Sequence, residues 1–131
     1  LAAAGNGGPV AEPMYPAAYD SVVAVTAVDS AGQVYRLANR GKYLDLAAPG
    51  VSVMHARAGG GYSASSGTSF AVPFAATAAA RLRQLEPGVD ALEILVNSAQ
   101  DLGPPGRDDI YGYGLLRPGV ASAPRIATSD M

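Results

Sequence analysis

The chain has 131 residues, of which 49% are hydrophobic and 15% are charged, with a net charge of −2 and no cysteine. This composition indicates one compact globular domain rather than a disordered chain, and the missing thiols exclude disulfides, zinc–thiolate sites and a cysteine nucleophile. Basic residues are scattered and no apolar run approaches the roughly 18 residues of a membrane-spanning helix, so neither nucleic-acid binding nor a membrane span is expected.

The first half of the chain predicts short strands separated by glycine- and proline-rich turns. Residues 1–4 form an apolar run that reads as the end of a buried strand, before a loop over residues 5–16. Residues 21–28 are β-branched and apolar nearly throughout, as expected for a strand covered on both faces of an α/β sheet. Further short strands are expected at residues 34–37 and 51–54, with breaks at residues 29–33, 49–50 and 59–61.

The second half changes to a helical pattern. Residues 69–86 are rich in alanine and contain few helix breakers, so they predict a buried helix with Pro73 near its first turn. A second helix is expected over residues 91–99, because Asp90 can cap it and an apolar stripe follows at helical spacing. A last strand is expected at residues 111–116. Residues 1–121 are assigned to the domain, and residues 122–131 to a loosely held tail.

Ser69 lies where a glycine-rich loop meets the start of the first helix. Unpaired N–H groups at a helix start, and the positive end of the helix dipole, stabilise negative charge that develops beside a serine hydroxyl during acyl transfer. Serine is also among the commonest helix caps, so position alone favours a cap. The G-x-S-x-G elbow of α/β-hydrolases is not met, because Ala71 replaces its last glycine.

Five segments in a fixed order favour a catalytic serine over a helix cap at Ser69. Together they resemble motifs of the subtilisin-like serine peptidases, the subtilases, in family order and at family-like spacing. The segments are AAGNGG at residues 3–8, YPAAY and SVVAV within residues 15–25, DLAAPGV at residues 45–51, GTSFAVP at residues 67–73 and YGLL at residues 113–116.

The resemblance implies an α/β fold, the C-terminal half of a doubly wound, mostly parallel subtilisin-like sheet, and the activity of a serine endopeptidase. Ser69 matches the nucleophile that forms an acyl-enzyme, and Asn6 matches the oxyanion-hole residue. The family's catalytic aspartate and histidine segments precede the asparagine loop, and neither is present in these residues. The single histidine, His55, matches no catalytic position and is expected in a loop or at the surface. The 131 residues alone are therefore expected to be inactive.

The resemblance also assigns residues to the substrate cleft. In the resemblance, a short apolar segment forms one wall of the pocket that binds the residue before the scissile bond, and a methionine forms the floor of that pocket. The loop before the nucleophile lines the leaving-group side of the cleft. A methionine floor favours small or medium apolar side chains over charged ones. The residues are, in that order, Ala3, Ala4 and Gly5 for the wall, Met14 for the floor, and Ser65, Ser66 and Gly67 for the leaving-group side.

No cofactor is required for this chemistry, but the resemblance implies that calcium or a monovalent cation can bind. The backbone carbonyls of Ala17, Tyr19 and Val22 and the carboxylate of Asp45 match the family's ligands, and such oxygen donors suit hard cations. Tyr43 stands where some relatives supply a second acidic ligand, which predicts weak binding. An ordinary turn residue is the simpler interpretation of Asp45.

The expected partners are a polypeptide substrate and the N-terminal half of the same catalytic domain. A half-sheet exposes an apolar edge, so the isolated chain is expected to pair with that half, to form homo-oligomers or to be poorly soluble. The family is commonly secreted or periplasmic. Two alternatives stay open: a subtilisin-like pseudo-enzyme or binding module without the triad, and an unrelated nucleotide-binding domain. The second needs a phosphate loop, and Gly59–Gly61 does not fit because no helix follows at once.

Overall fold

The computed structural model describes residues 1–121, and the predicted tail at residues 122–131 lies outside the described residues. The described part contains five strands, two α-helices and a terminal 3₁₀ helix. Their bounds are β1 Ala2–Ala3, β2 Ala24–Val28, β3 Leu44–Pro49, β4 Val53–Ala56, β5 Tyr62–Ser65, α1 Thr68–Leu85, α2 Ala91–Asn97 and the 3₁₀ helix Pro118–Ala121.

Strands β1, β2 and β3 form a parallel sheet in that order. Ala2 lies opposite Ala24 in the first pair, and Ala24 lies opposite Leu44 in the second, with a register irregularity between Ala24 and Val25. Every residue of β2 is buried, as the unbroken apolar run predicts for a central strand. A parallel sheet with α1 and α2 packed against it confirms the α/β class that the sequence predicts.

Alternate residues of the sheet face α1. Val25 and Ala27 of β2 belong to one buried cluster with Ala71 and Ala75 of α1, because successive side chains of a strand point to opposite faces. Further buried members come from β3, α1 and α2, so the two helices and the sheet share one core. They are Leu46, Ala48, Ala78, Ala79, Leu82, Ala91 and Leu95.

Helix α1 differs from its prediction in two respects. Only one side of it is buried, and Ala76, Thr77 and Ala80 are exposed, so the alanine run does not mark a helix that is covered all round. Pro73 is the sixth residue of the helix and lies beyond the first turn. Proline carries no N–H, so the carbonyl four residues earlier, that of Ser69, lacks the usual intrahelical partner.

Strands β4 and β5 form an antiparallel hairpin that the sequence does not predict as a pair. Val53 lies opposite Ser65, and His55 lies opposite Ser63. Gly59–Gly61, predicted as a flexible break, turns the chain between the two strands with positive φ at each residue. The hairpin therefore leads directly into the loop before α1.

Two predicted strands are reduced to isolated bridges. Val34 pairs only with Val28, and Leu115 bridges both Ala47 and Gln100. Neither helix of residues 1–121 combines the length and the hydropathy that a bilayer span requires. The sheet, the helices and these bridges bring the first residues of the chain against the start of α1.

Candidate active site

The side chain of Asn6 is held by Thr68, the first residue of α1. The Thr68 backbone N–H donates to Asn6 Oδ1 at 2.9 Å, and the Thr68 hydroxyl lies 3.0 Å from the same oxygen. The Gly5 N–H donates to that hydroxyl at 3.1 Å. Thr68 is fully buried, so the loop that carries Asn6 and the start of α1 are joined away from solvent.

This contact fixes the orientation of the Asn6 amide. A backbone N–H can only donate, so the amide atom that faces Thr68 must be the oxygen. The two N–H bonds of Nδ2 therefore point away from Thr68, and no hydrogen bond from Nδ2 to another residue is found within residues 1–121. An amide with a fixed oxygen and free N–H groups is suited to stabilise an anion.

Ser69 is exposed and occupies the second position of α1, directly after Thr68. Gly67 precedes the helix, and its N–H donates to the Gly50 carbonyl at 2.8 Å. No side chain caps the helix start. Ser69 is therefore not the cap that its position alone suggests, because the cap position is occupied by Gly67.

Asn6, Met14 and Ser69 line one surface groove of about 440 Å³. Ala3 and Gly5 form part of the same lining, with Gly7, Tyr15 and Thr68. Two side chains that are 63 positions apart in the sequence, Asn6 and Ser69, are thus brought to one cleft. Met14 lies beside Gly5, where a Cβ atom would collide with its sulfur.

The remaining predicted cleft residues lie elsewhere. Ala4 is fully buried and packs with Ala17, so it supports the groove wall from behind rather than lining it. Ser66 accepts a hydrogen bond from the Ser52 N–H at 2.8 Å and lines a neighbouring depression with Tyr35. Gly67 is buried between the groove and Phe70.

Asn39 is a part of the site that sequence reasoning missed. It is fully buried, its Oδ1 accepts the Gly7 N–H at 2.7 Å, and its own backbone N–H donates to the Gly5 carbonyl at 2.9 Å. Its Nδ2 donates to the Glu12 carbonyl at 3.2 Å. Asn39 therefore holds both sides of the loop that presents Asn6. No local pattern in residues 37–41 marks it for this role.

His55 does not belong to the groove. It lies on β4, where its Nε2 is 2.7 Å from Ser65 Oγ and its Nδ1 is 2.8 Å from the Ala56 carbonyl oxygen. Ser69 is not among its partners. The sequence predicts a loop or surface position, but His55 lies on a strand and its side chain is half-buried.

The residues expected to hold a cation surround an arginine instead. Tyr19, Val22 and Asp45 line one pocket of about 250 Å³, but Arg107 lines it too. The Arg107 guanidinium donates to Asp45 Oδ1 at 3.1 Å, to the Leu44 carbonyl at 3.2 Å and to the Lys42 carbonyl at 3.0 Å. Ala17 is buried and does not line this pocket.

This arrangement fits a metal ion poorly. Asp45 Oδ2 accepts the Ala24 N–H at 2.9 Å, so both carboxylate oxygens are already engaged. Burial raises the pKa of the Asp45 carboxyl above its usual value, and the Ala24 N–H and Arg107 oppose that shift. Within residues 1–121 no cluster of three or more acidic or histidine side chains could hold a metal ion. A positive charge is already present beside Asp45.

A parallel sheet, a helix that begins beside Ser69 and an oriented amide in the same groove define an α/β protein with Ser69 and Asn6 at one surface site. Comparison with known proteins identifies the family. The family model described as "Subtilase family" matches residues 1–114, and the chain belongs to this family. The resemblance seen in the five sequence segments is thereby confirmed.

Similar proteins include two extracellular proteases. The chain is 38% identical over 120 residues to the minor extracellular protease Epr of Bacillus subtilis (strain 168), covering 89% of this chain and 19% of that protein. It is 42% identical over 119 residues to the halolysin-like extracellular serine protease Nep of Natrialba magadii, covering 87% of this chain and 21% of that protein.

A solved structure shows the same fold. The structure of the prenylagaramide maturation protease PagA superposes with a TM-score of 0.76 and 27% sequence identity, and covers 91% of this chain and 47% of that chain. The chain thus spans less than half the length of each of these three proteins.

Proposed function

We propose that this chain is the nucleophile-bearing part of a serine endopeptidase. The observation that carries the proposal is the oriented amide of Asn6, whose oxygen is held by Thr68 while its N–H groups remain free in the groove that Ser69 lines. Membership of the subtilase family supports the reaction class. The extracellular relatives support secretion of the parent protein.

The proposed reaction proceeds through an acyl-enzyme on Ser69. Ser69 Oγ bonds to the scissile carbonyl carbon and loses its proton to a general base, and the resulting oxyanion is stabilised by Asn6 Nδ2. Collapse breaks the C–N bond, and the base returns the proton to the leaving amine. Water then cleaves the ester and regenerates Ser69.

The general base and its orienting acid come from residues outside this chain. The only histidine among the 131 residues is His55, and it is hydrogen bonded away from the groove, to Ser65. General-base assistance contributes about 10²–10⁴ in rate, so the isolated chain is expected to be nearly inert. The complete catalytic domain is the form in which peptide bonds are cleaved.

Active-site labelling tests this proposal. A fluorophosphonate probe should label the full-length parent protein stoichiometrically, and Ser69→Ala should abolish labelling and peptide hydrolysis without changing the melting temperature. The isolated chain should label slowly or not at all. A folded parent that neither labels nor cleaves would instead support a non-catalytic, subtilisin-like binding module.

The groove also supports a substrate preference. Met14 is partly exposed in the groove and lies beside Gly5, so it narrows the space before the scissile bond. We therefore propose that small or medium apolar side chains bind there in preference to charged ones. Profiling the full-length protein with a peptide library measures this, and a strong preference for arginine or glutamate would contradict it.

We further propose that no bound calcium or monovalent cation is required at Asp45. The Arg107 guanidinium supplies the positive charge, with four N–H contacts to the carboxylate and to neighbouring carbonyl groups at 3.0–3.3 Å. The Arg107 carbon atom Cζ also lies 4.8 Å from the centre of the Tyr113 ring. Arginine presents its donors in a fixed planar arrangement, so this position is well satisfied without a metal.

A further inference from the structure

His55 is held on three sides by contacts that the proposed reaction does not use. Its Nδ1 faces the Ala56 carbonyl oxygen at 2.8 Å, and its Nε2 faces the Ser65 hydroxyl at 2.7 Å. A carbonyl oxygen can only accept, so Nδ1 carries a proton, and in the neutral ring Nε2 accepts from Ser65. Both nitrogens therefore have partners, and the ring cannot turn freely.

The third contact of His55 leads towards Ser69. The imidazole stacks on the ring of Phe70, with centroids 5.1 Å apart and an interplanar angle of 29°. Phe70 directly follows Ser69 on α1. A ring held from behind by a second ring has little freedom to tilt, so His55 limits the positions available to Phe70.

Phe70 in turn borders the backbone beside Asn6. A Cβ atom at Gly67 would lie 3.6 Å from Phe70 Cδ2 and 3.4 Å from Asn6 Nδ2. His55, Phe70, Gly67 and Asn6 therefore lie side by side in a row from the hairpin to the groove. The row passes along the side of the cleft that the family resemblance assigns to the leaving group.

On the hairpin, the His55 side chain faces Phe70, whereas side chains at adjacent positions face solvent. Met54 and Tyr62 are 66% and 74% exposed, whereas His55, Ser63 and Ser65 are half-buried. This alternation is what a two-stranded ladder with one covered face requires. Met54 is thus a matched control position, because it lies on the same strand and faces away from Phe70.

We propose that His55 is a positioning residue for the leaving-group side of the cleft: it clamps Ser65 and Phe70, and so fixes the surface against which the chain beyond the scissile bond is held. The inference rests on the proposed peptidase function. It differs from a general-base role, since His55 acts through Phe70 and Ser65 and touches neither Ser69 nor the scissile bond.

The test compares two substrates of the full-length parent protein. Both carry the same residues before the scissile bond; one releases a nitroanilide, and the other is an internally quenched peptide that continues for several residues. His55→Ala should lower kcat/KM for the extended peptide by about threefold to tenfold relative to the nitroanilide, the range expected when one aromatic contact is lost. Met54→Ala should leave both values unchanged.

Rescue distinguishes positioning from a general loss of folding. His55→Phe keeps a ring against Phe70 but loses the Ser65 contact, so it should restore part of the extended-peptide activity, and its melting temperature should be no lower than that of His55→Ala. Equal loss on both substrates, no loss on either, or no rescue by His55→Phe would overturn the proposal. If the unmodified parent cleaves neither substrate, the proposed function itself fails, which is a separate and recognisable result.

Discussion

Thr68 orients the side-chain amide of Asn6, the candidate oxyanion donor. Its hydroxyl accepts the Gly5 N–H and lies within hydrogen-bond distance of Asn6 Oδ1, while its backbone N–H contacts the same oxygen. An amide that is already oriented needs no reorganisation when charge develops, which is how a preorganised donor lowers a barrier. Thr68, the residue before Ser69, therefore sets the orientation of Asn6 in the groove.

Thr68→Val should weaken both catalysis and folding in the parent protein. Valine keeps the shape but removes the hydroxyl, which leaves the Gly5 N–H without its partner and should cost about 1–3 kcal/mol of stability. We expect kcat to fall by about tenfold because Asn6 loses one of the two Thr68 contacts that orient its amide. Steady-state kinetics and thermal melting measure the two effects, with Thr68→Ser as the control that keeps the hydroxyl. Unchanged kcat in Thr68→Val would contradict this account.

Phe70 predicts resistance to oxidation. The ring borders Gly67 beside the groove, where a methionine would expose a thioether that peroxide converts to a sulfoxide. Activity of the parent should survive peroxide longer than that of Phe70→Met. Met14 also lines the groove, so its sulfoxide must be quantified by mass spectrometry in both proteins. Rapid inactivation of the parent without methionine oxidation would refute the prediction.

At the scale of elements, the close approach of Gly50 to Gly67 fixes the position of the start of α1. A Cβ atom there would lie 2.8 Å from the Gly67 carbonyl oxygen and 3.2 Å from Ala71 Cβ, and would collide with Ala27 Cβ. The Gly50 carbonyl also accepts the Gly67 N–H. The end of β3, the middle of β2 and the helix start thus meet where only a hydrogen atom fits.

Gly50→Ala should displace the loop before Ser69. Overpacking of this kind costs about 1–3 kcal/mol, and the shift should reduce kcat as well as the melting temperature. Gly119→Ala is a suitable control, because a Cβ atom there meets nothing within 4 Å. The prediction fails if Gly50→Ala melts and turns over substrate as the Gly119→Ala protein does.

The Arg107 contacts give a second prediction at this scale. Arg107→Gln should lower the free energy of unfolding of the parent by about 1–2 kcal/mol, because it leaves the Asp45 carboxylate and two carbonyl oxygens with fewer donors. The loss is small because Arg107 is partly exposed and solvent screens its charge. Arg117→Gln, at an exposed position, should have little effect.

Cation dependence separates the two interpretations of Asp45. Neither a chelator nor added calcium or potassium should change the melting temperature of the parent. Titration with these ions should raise the melting temperature of the parent no more than that of Arg107→Gln. Thermal melting of both proteins across an ion titration gives the comparison. Stabilisation of the parent that Asp45→Asn abolishes would show that a cation binds despite Arg107.

Sequence patterns predicted the elements that depend on local composition. The alanine-rich run gave α1 to within a residue of its ends, and the apolar run gave the buried strand β2. The hairpin β4–β5 was missed because its turn, Gly59–Gly61, resembles a break and its strands carry polar residues. The last predicted strand failed because Gly112 and Gly114 adopt positive φ, which interrupts an extended ladder.

The contacts between distant segments were the least accessible to sequence reasoning. Motif order suggested that Asn6 and Ser69 belong together, but nothing local indicated that Thr68 orients the amide. Asn39 was missed because it supports the loop from 32 positions away. The pairing of Arg107 with Asp45 spans 62 positions. Arg107 itself lies in a segment whose sequence indicates only a polar turn.

At the scale of the whole molecule, β1 forms an outer edge of the described sheet. It pairs only with β2, and Ala2 and Ala3 are half-buried, while Leu1 beside them is exposed. An unpaired apolar edge is a template for a further strand. The relatives are about twice as long as this chain or longer, which agrees with the proposal that a preceding half of the sheet covers this edge.

The isolated chain should therefore self-associate or precipitate, whereas co-expression with the preceding half of the domain should yield a soluble one-to-one complex. Analytical ultracentrifugation measures the first effect. Fluorophosphonate labelling measures the second, since Ser69 should react only in the complex. A stable monomer of the 131 residues with a single cooperative melt would contradict this prediction.

The seam between α1 and the sheet is lined largely by alanine, from Ala27 and Ala48 on the strands to Ala71, Ala75 and Ala78 on the helix. Alanine has no rotamers to freeze, so this contact forms without side-chain entropy cost. For the same reason it has no alternative packing into which it can relax. Ser69 lies two residues before Ala71 on the same helix, so the close packing of α1 on the sheet limits how far the Ser69 backbone moves.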